Sequence, residues 1–319
     1  MSTLDRYLEA ATRANTRRSY AGAVRHFEVE WGGFLPATAD AVARYLADHA
    51  EKLAINTLKQ RLAALALWHR EQGFPDPTKA PVVRKVLKGI QALHPAREKQ
   101  AVPLQIDQLA QVGAWLDQSI ATSRQQNNRA AELRHCRDKA LLLIGFWRGF
   151  RGDELMRLQV EFIELVPGQG MSCFLPRSKS DRALRGRTVR VPALARLCPV
   201  EAYRDWIAVA GLTAGPVLRG VDRWGRIRSG GLHASSLIPI LRRLFAAAGL
   251  AAPEGFSSHS LRRGFAGWAN ANGWDVKTLM EYVGWRDVKS AMRYIDAADP
   301  FAGMLAEAGA GTPLRLPGD

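Results

Sequence analysis

The sequence predicts a mainly helical protein with two domains, of which the second carries a small antiparallel sheet. Three observations favour this fold class. Apolar residues recur at helical spacing through residues 20–90. A charged segment with proline at both ends follows. Sequence patterns typical of strands are confined to residues 161–192. The chain has 319 residues, 47% of them hydrophobic, which is enough for two cores.

Four helices are expected in the front domain, residues 1–93. Thr16 is a candidate N-cap of the first helix, and Gly73 is a candidate stop of the third. Each helix is marked by a group of apolar residues on one face: Tyr20, Val24, Phe27 and Trp31; Val42, Tyr45 and Leu46; Leu58, Leu62, Leu65 and Trp68; and Val83, Val86, Leu87 and Ile90.

Residues 94–103, HPAREKQAVP, are predicted to link this domain to the rear domain, residues 104–319. Helices are expected over 104–118 and 133–147, followed by a turn at Gly149–Gly152 and a helix that Asp153 and Glu154 open. The helix dipole favours acids in that first turn. Strands are predicted at 161–166, 171–175 and 188–192, and helices are expected again from about 199 to the end.

Several protein classes do not fit this composition. The three cysteines, Cys136, Cys173 and Cys198, are odd in number and lack CxxC spacing, which argues against a disulfide framework and a zinc site. No run of about 18 apolar residues is present, and the start lacks the layout of a secretion signal. We therefore expect a cytoplasmic protein with reduced thiols.

The net charge of +15 indicates a polyanionic partner. Residues 1–104 hold 16 basic and 10 acidic side chains, and the remainder holds 29 and 20, so both halves are basic. This distribution favours a clamp around one DNA duplex, although a basic protein without a nucleic-acid role remains an alternative. On the fourth helix, Arg84, Lys85 and Lys88 either contact DNA or form an ordinary solvated face.

Six side chains of the rear domain form one chemical set. Two arginines can grip a phosphate, and a lysine and a histidine can move protons. An indole N–H can donate a hydrogen bond, and a tyrosine can act as a nucleophile. Each residue alone has an ordinary structural interpretation, and Tyr282 is a nearby rival for the tyrosine. The set is Arg151, Lys179, His259, Arg262, Trp285 and Tyr294.

Local spacing supports parts of this set. His259 and Arg262 are three residues apart and would share one helix face, and Glu154 is placed to orient Arg151. Lys179 lies on a predicted hairpin, and the pattern leaves the choice of its functional cation open. Neither a P-loop nor an acidic metal cluster is present, so no cofactor is expected. The other cations of the hairpin region are Arg177, Arg182, Arg185 and Arg187, of which Arg177 and Arg182 are candidate DNA contacts.

In chain order, the segments GFRGDEL, PRSKS, HSLRRGFA, VGW and MRYI resemble the tyrosine recombinase (phage integrase) family. The resemblance runs from about 133 to 298, and the front helices are similar, less specifically, to the family's core-binding domain. Trp285 stands where many members carry a second histidine, which gives a Cre-like site. Arg263 stands where many members have histidine, a change that should not disable the chemistry.

The resemblance implies a site-specific DNA recombinase without cofactor. Tyr294 would form a 3′-phosphotyrosine, Arg151 and Arg262 would hold the phosphate oxygens, and Lys179 would protonate the leaving 5′-oxygen. His259 would assist proton removal, and Trp285 would donate to the phosphate. A homo-tetramer on two DNA sites is expected.

Two other functions and one terminal segment remain open at this point. The alternatives are a type IB topoisomerase and a non-catalytic DNA-binding protein. Near the C-terminus, the segment FAGMLAEAG either docks on a neighbouring subunit or packs on its own domain.

Overall fold

The computed structural model describes residues 3, 6–7, 14–95, 100–166, 168–176 and 185–295. The chain divides into two compact units, Met1–Lys99 and Gln100–Asp319. Among the described residues, no helix is long and apolar enough to cross a membrane.

Four helices of the first unit, described from residue 14 onward, pack around one aromatic and aliphatic core. They are α1 (Ala14–Arg25), α2 (Ala39–Asp48), α3 (Ile55–Glu71) and α4 (Pro81–Leu93). Helix α1 continues into a π-helical turn at His26–Glu30. The core is formed by buried residues from all four groups of the sequence pattern, among them Phe27, Tyr45, Leu46, Leu58, Leu65 and Val83.

Two details of the helix ends can be compared with the sequence. The prediction that Thr16 caps α1 was wrong, because the helix already includes Ala14 and Thr16 lies inside it. Gly73 follows α3 with φ +76°, a left-handed conformation that glycine adopts without strain and that ends a helix.

The second unit is organised around one long, buried helix. Its eight described helices are α5 (Ile106–Gln125), α6 (Arg129–Arg148), α7 (Gly152–Met156), α8 (Pro199–Ala210), α9 (Leu237–Ala247), α10 (Ser258–Ala271), α11 (Val276–Val283) and α12 (Val288–Ile295). Helices α5, α8 and α10 pack against α6, which is buried on all sides over its last two turns. This burial explains the unbroken apolar run LLLIGFW, because a helix covered all round needs no polar face.

The predicted antiparallel sheet is confirmed, with the order β1 (Ile163–Val166), β2 (Gly170–Leu175) and β3 (Arg187–Pro192). Cys173 of β2 pairs with Ile163 on one side and with Val189 on the other. Strand β1 begins later than predicted, because Val160–Phe162 forms a 3-10 turn.

The expectation of helices from about 199 to the end was wrong for residues 219–231, and its part beyond residue 295 lies outside the described residues. A second hairpin, β4 (Arg219–Val221) and β5 (Ile227–Gly231), lies between α8 and α9. The Asp222 carboxylate accepts the backbone N–H groups of Trp224 and Arg226 at 2.9 Å each and thereby builds the turn. The strands are short and rich in arginine and glycine, so they lack the apolar alternation that predicts a strand.

Candidate active site

The turn after α6 places Arg151 against a buried carboxylate. Helix α6 ends at Gly149, whose φ of +59° lets the chain reverse into α7. Glu154, only 2% exposed, accepts the Arg151 guanidinium at 2.9 Å (Nη1 to Oε1) and the Arg151 backbone N–H at 3.2 Å. The carboxylate therefore holds both the backbone and the side chain of Arg151, while the guanidinium stays partly exposed.

Arg262 is the most deeply buried of the five members that the structure describes, at 1% exposure. Its Nη1 donates to the Gly149 carbonyl oxygen at 2.6 Å, and its Nη2 has no hydrogen-bond partner among the described residues. Burial, followed by the neighbouring charge of Arg151, lowers the pKa of the Arg262 guanidinium to about 9. The group is therefore still cationic at neutral pH, with one donor unused.

His259 lies at the start of α10, next to the Arg151 turn. Ser257 caps this helix by accepting the His259 backbone N–H at 3.2 Å. A side chain at Gly152 would come within 3.1 Å of Ser258, so the helix start and the turn touch. The His259 side chain is exposed on this edge of the site.

Trp285 and Tyr294 complete a cluster around Arg262. Trp285 follows Gly284, the left-handed residue that ends α11, and is 7% exposed. The ring centroids of Trp285 and Tyr294 are 4.9 Å apart. The Arg262 Cζ atom lies 5.0 Å from the Trp285 centroid and 6.0 Å from the Tyr294 centroid. The phenol is thus held beside a buried cation.

Arg263 secures the peptide that precedes the tyrosine. Its Nη1 donates to the Arg293 carbonyl oxygen at 3.1 Å, and its Cζ lies 5.8 Å from the Tyr294 ring centroid. A residue that the sequence presented as a harmless departure from the family therefore binds α12 to α10.

Tyr282, the rival phenol, is engaged elsewhere. Its hydroxyl donates to the Trp147 carbonyl oxygen at 2.8 Å, and its ring lies 4.4 Å from the Arg148 Cζ atom. Burial raises the pKa of this phenol to about 12, so its reactive anion is disfavoured.

Several predicted residues belong to the first unit or lie outside the described residues. Arg84, Lys85 and Lys88 are exposed on α4 of the first unit. Lys179, Arg177, Arg182 and the segment FAGMLAEAG lie outside the described residues. Within the described ranges, no three His, Cys, Asp or Glu side chains come together as a metal-binding group.

Two further arginines lie at the site. The sequence analysis gave Arg148 no role and named Arg187 only among the cations of the hairpin region. Arg148, the last residue of α6, is 4% exposed, and its Nε and Nη1 have no partner among the described residues. The Nη2 atom of Arg187, at the start of β3, lies 3.7 Å from Glu154 Oε1. Arg148 directly follows the apolar run of α6. From the sequence, that position was the one indication that its side chain is buried.

The chain is similar to known proteins over most of its length. The Phage integrase family model matches residues 118–300. An integrase/recombinase xerD homolog of Selenomonas ruminantium is 29% identical over 306 residues, covering 93% of this chain and 85% of that protein. Recombinase cre of Escherichia phage P1 is 26% identical over 307 residues, covering 90% and 83%.

Solved structures share the fold at low sequence identity. The XerH site-specific recombinase bound to palindromic difH substrate aligns with a TM-score of 0.62 at 19% identity, covering 92% of this chain and 78% of that one. A lambda integrase dimer bound to a core site aligns with a TM-score of 0.56 at 16% identity, covering 93% and 95%. The family match spans more than half of the chain and includes Arg151, His259, Arg262, Trp285 and Tyr294. This chain therefore belongs to the phage integrase family and is a site-specific tyrosine recombinase.

Proposed function

We propose that this recombinase cleaves double-stranded DNA with Tyr294 and holds the scissile phosphate with Arg262 and Arg151. The position of Arg262 carries the proposal, because a buried guanidinium with an unused Nη2 lies beside the Tyr294 ring. A buried cation without a counter-ion is costly, and an anion placed against it removes that cost. The scissile phosphate supplies such an anion at the point where the phenol would attack.

In the cleavage step, the Tyr294 oxygen attacks phosphorus and the bond to the 5′-oxygen breaks. The product is a 3′-phosphotyrosine, and the leaving 5′-oxygen takes a proton from Lys179. Arg151 and Arg262 stabilise the charge on the non-bridging oxygens, and Trp285 donates its indole N–H to the same group. His259 assists removal of the phenol proton. Its helix begins at Ser258, which lies against Gly152 of the Arg151 turn.

In the rejoining step, the 5′-hydroxyl of a partner strand attacks the phosphotyrosine. A new phosphodiester forms, and the phenol recovers its proton. Each cleaved bond is replaced by one of the same kind, so the cycle needs no ATP. The guanidinium pair supplies the electrostatic stabilisation that metal ions give in other phosphoryl transfers.

The partner is double-stranded DNA carrying a specific recombination site. The net charge of +15 supports tight, salt-dependent binding to phosphate, and the exposed Arg84, Lys85 and Lys88 of α4 are proposed DNA contacts. We place the protein in the cytoplasm, associated with the nucleoid, and expect a homo-tetramer on two sites. Finding only one protein per site under recombining conditions would contradict the tetramer.

A nicked DNA substrate tests the nucleophile, because loss of the short strand traps the covalent intermediate. We expect wild-type protein to form an adduct that survives SDS and Tyr294→Phe to form none. Tyr282→Phe is the matched control and should form the adduct, since that hydroxyl is bound to the Trp147 carbonyl. An adduct formed by Tyr294→Phe would disprove the assignment.

The similarity to recombinases favours strand exchange over the type IB topoisomerase and the non-catalytic alternatives. A supercoiled plasmid without a cognate site separates the two enzymes. A topoisomerase relaxes it at the rate seen with any plasmid, whereas this protein should relax or recombine only plasmids that carry its site. Sequencing the DNA trapped on Tyr294 in cells identifies that site.

A further inference from the structure

Arg187 lies between the two halves of the candidate active site. It is the first residue of β3, where it pairs with Leu175 of β2, and its side chain is 24% exposed. On one side, its Nη2 atom approaches Glu154 Oε1 at 3.7 Å. The same carboxylate oxygen accepts Arg151 Nη1 at 2.9 Å. One buried acid therefore faces two guanidinium groups.

On its other side, the Arg187 guanidinium fills the space beside Gly284. A Cβ atom built on Gly284 would lie 1.9 Å from Arg187 Nη1 and 2.8 Å from its Cζ. Gly284 has φ +76° and ends α11 directly before Trp285. Glycine at this position therefore serves two purposes, the left-handed turn and the close approach of the arginine.

We propose that Arg187 is a positioning residue for DNA cleavage, which ties the Gly284–Trp285 turn to the Glu154–Arg151 pair. The inference rests on the proposed function, because Trp285 and Arg151 act on the phosphate there. A guanidinium suits this place, since its planar fork presents donors in two directions at once. Arg187 acts through Glu154 and the turn, and it fixes the distance between the two phosphate-binding groups.

The consequence for the reaction concerns geometry rather than binding. When Arg187 is removed, Trp285 and Arg151 are each still present, and the charge that attracts DNA falls by one of 45 basic residues. Small misplacements of catalytic groups lower rates strongly. We therefore expect slower cleavage at saturating protein with nearly unchanged DNA affinity.

A double-mutant cycle on single-turnover cleavage of nicked DNA tests this inference. Arg187→Ala and Gly284→Ala should each slow cleavage by about ten-fold or more, because misplaced catalytic groups cost rate, and the new Cβ displaces the guanidinium. The double variant should lose less rate than the product of the two single losses, because both changes break the same contact. Only the strain of alanine in the left-handed turn at Gly284 is separate from that contact. Cleavage by Arg187→Ala within two-fold of wild type would overturn the proposal, as would rate losses that multiply.

Arg190→Ala is the matched control, because Arg190 is an exposed cation three positions along the same strand. It should cleave within two-fold of wild type, and its effect should simply multiply with that of Gly284→Ala. The DNA affinity of Arg187→Ala should stay within about three-fold of wild type. A change of that size is expected when one positive charge near the DNA phosphates is lost. A parallel loss of affinity and rate would indicate a DNA contact and overturn the positioning role.

Two further arms keep the result unambiguous. Where Arg187→Ala does not fold, Arg187→Gln takes its place in the same cycle. The Tyr294→Phe variant is run beside it. If Tyr294→Phe forms the adduct, the proposed function fails whatever Arg187 does. If it forms none and the Arg187 variants cleave as wild type does, the inference alone fails.

Discussion

Buried arginines lie at the middle and at the C-terminal end of helix α6, and their charges are compensated to different extents. In its middle turns, Arg137 donates Nε and Nη2 to Asp138 Oδ1 at 2.9 and 2.6 Å, and Nη1 to the Arg219 carbonyl oxygen at 3.4 Å. Arg243 reaches the second oxygen of Asp138 at 3.1 Å. At the C-terminal end, Arg148 and Arg262 keep buried nitrogens without partners in the described part of the chain.

This difference separates a charge cluster that is complete within the fold from one that we propose to bind a ligand. Around Asp138, one carboxylate satisfies a buried arginine completely, so the cluster needs nothing further. Around Glu154, one carboxylate faces Arg151 and Arg187. Its charge also acts on the buried Arg148 and Arg262, but burial is the larger effect and lowers the pKa of both guanidinium groups. Uncompensated buried charge persists in folded proteins where a ligand completes it, and phosphate is the ligand that this excess of cations suits.

The largest expected effect comes from breaking the compensated cluster, which consists of Arg137, Asp138 and Arg243. Asp138→Asn leaves Arg137 buried without a counter-charge, so we expect the free energy of unfolding to fall by about 3–5 kcal/mol. Urea denaturation measures this loss, and cleavage per folded molecule should not change. A stability change below about 1 kcal/mol, the value of a surface ion pair, would contradict the comparison.

The next largest effect is expected at the candidate active site, at the C-terminal end of α6. Arg262→Ala should slow single-turnover cleavage about 10²–10³-fold, the loss seen when a preorganised donor to a transition state is removed. DNA binding should be largely retained. Arg243→Ala, which removes an arginine of the compensated cluster, serves as control and should cleave as wild type does. If binding by Arg262→Ala collapsed in parallel with cleavage, the arginine would position DNA rather than stabilise the transition state.

The sequence predicted more of the site's composition than of its electrostatics. The spacing of His259 and Arg262 and the glycine before Trp285 are local properties of helices and turns, which short-range patterns report. The burial of Arg148 and the place of Arg187 beside Glu154 depend on which strands and helices meet in three dimensions, and no local pattern records that.

The fold shows the same division between local and tertiary information. All four front helices and the first sheet follow from apolar periodicity. The β4–β5 hairpin was missed because tertiary contacts hold it in place. Arg134 Nη1 donates to the Asp222 carbonyl oxygen at 3.2 Å, and Arg137 reaches the Arg219 carbonyl from α6. Sequence patterns within the hairpin do not contain those contacts.

A smaller effect on stability is expected at Arg148, and it tests the difference between Arg148 and the compensated Arg137. Replacing an uncompensated buried charge with an apolar side chain of similar length removes a desolvation cost, but Arg148→Met also loses the contact with the Tyr282 ring. We expect the free energy of unfolding to stay the same or rise by about 1–2 kcal/mol. Urea denaturation of Arg148→Met beside Asp138→Asn makes the comparison direct. A loss of several kcal/mol would mean that the fold compensates Arg148 as fully as it does Arg137.

The smallest effect concerns Tyr282, whose hydroxyl joins α11 to the end of α6. Tyr282→Phe removes one hydrogen bond to the Trp147 carbonyl, so the free energy of unfolding should fall by about 1 kcal/mol.

The pH dependence of that loss has a definite sign. Burial raises the pKa of this phenol to about 12, whereas the unfolded chain has the ordinary value near 10. The unfolded state therefore releases its proton first, and the stability that Tyr282 contributes is present below pH 10 and is lost as pH rises toward 12. Wild-type stability should fall more steeply than that of Tyr282→Phe across this range, as urea titrations at several pH values would measure. If the free energy of unfolding fell equally with pH in both proteins, the Tyr282 phenol would not be buried in the folded state. Tyr282 would then again be a candidate nucleophile beside Tyr294.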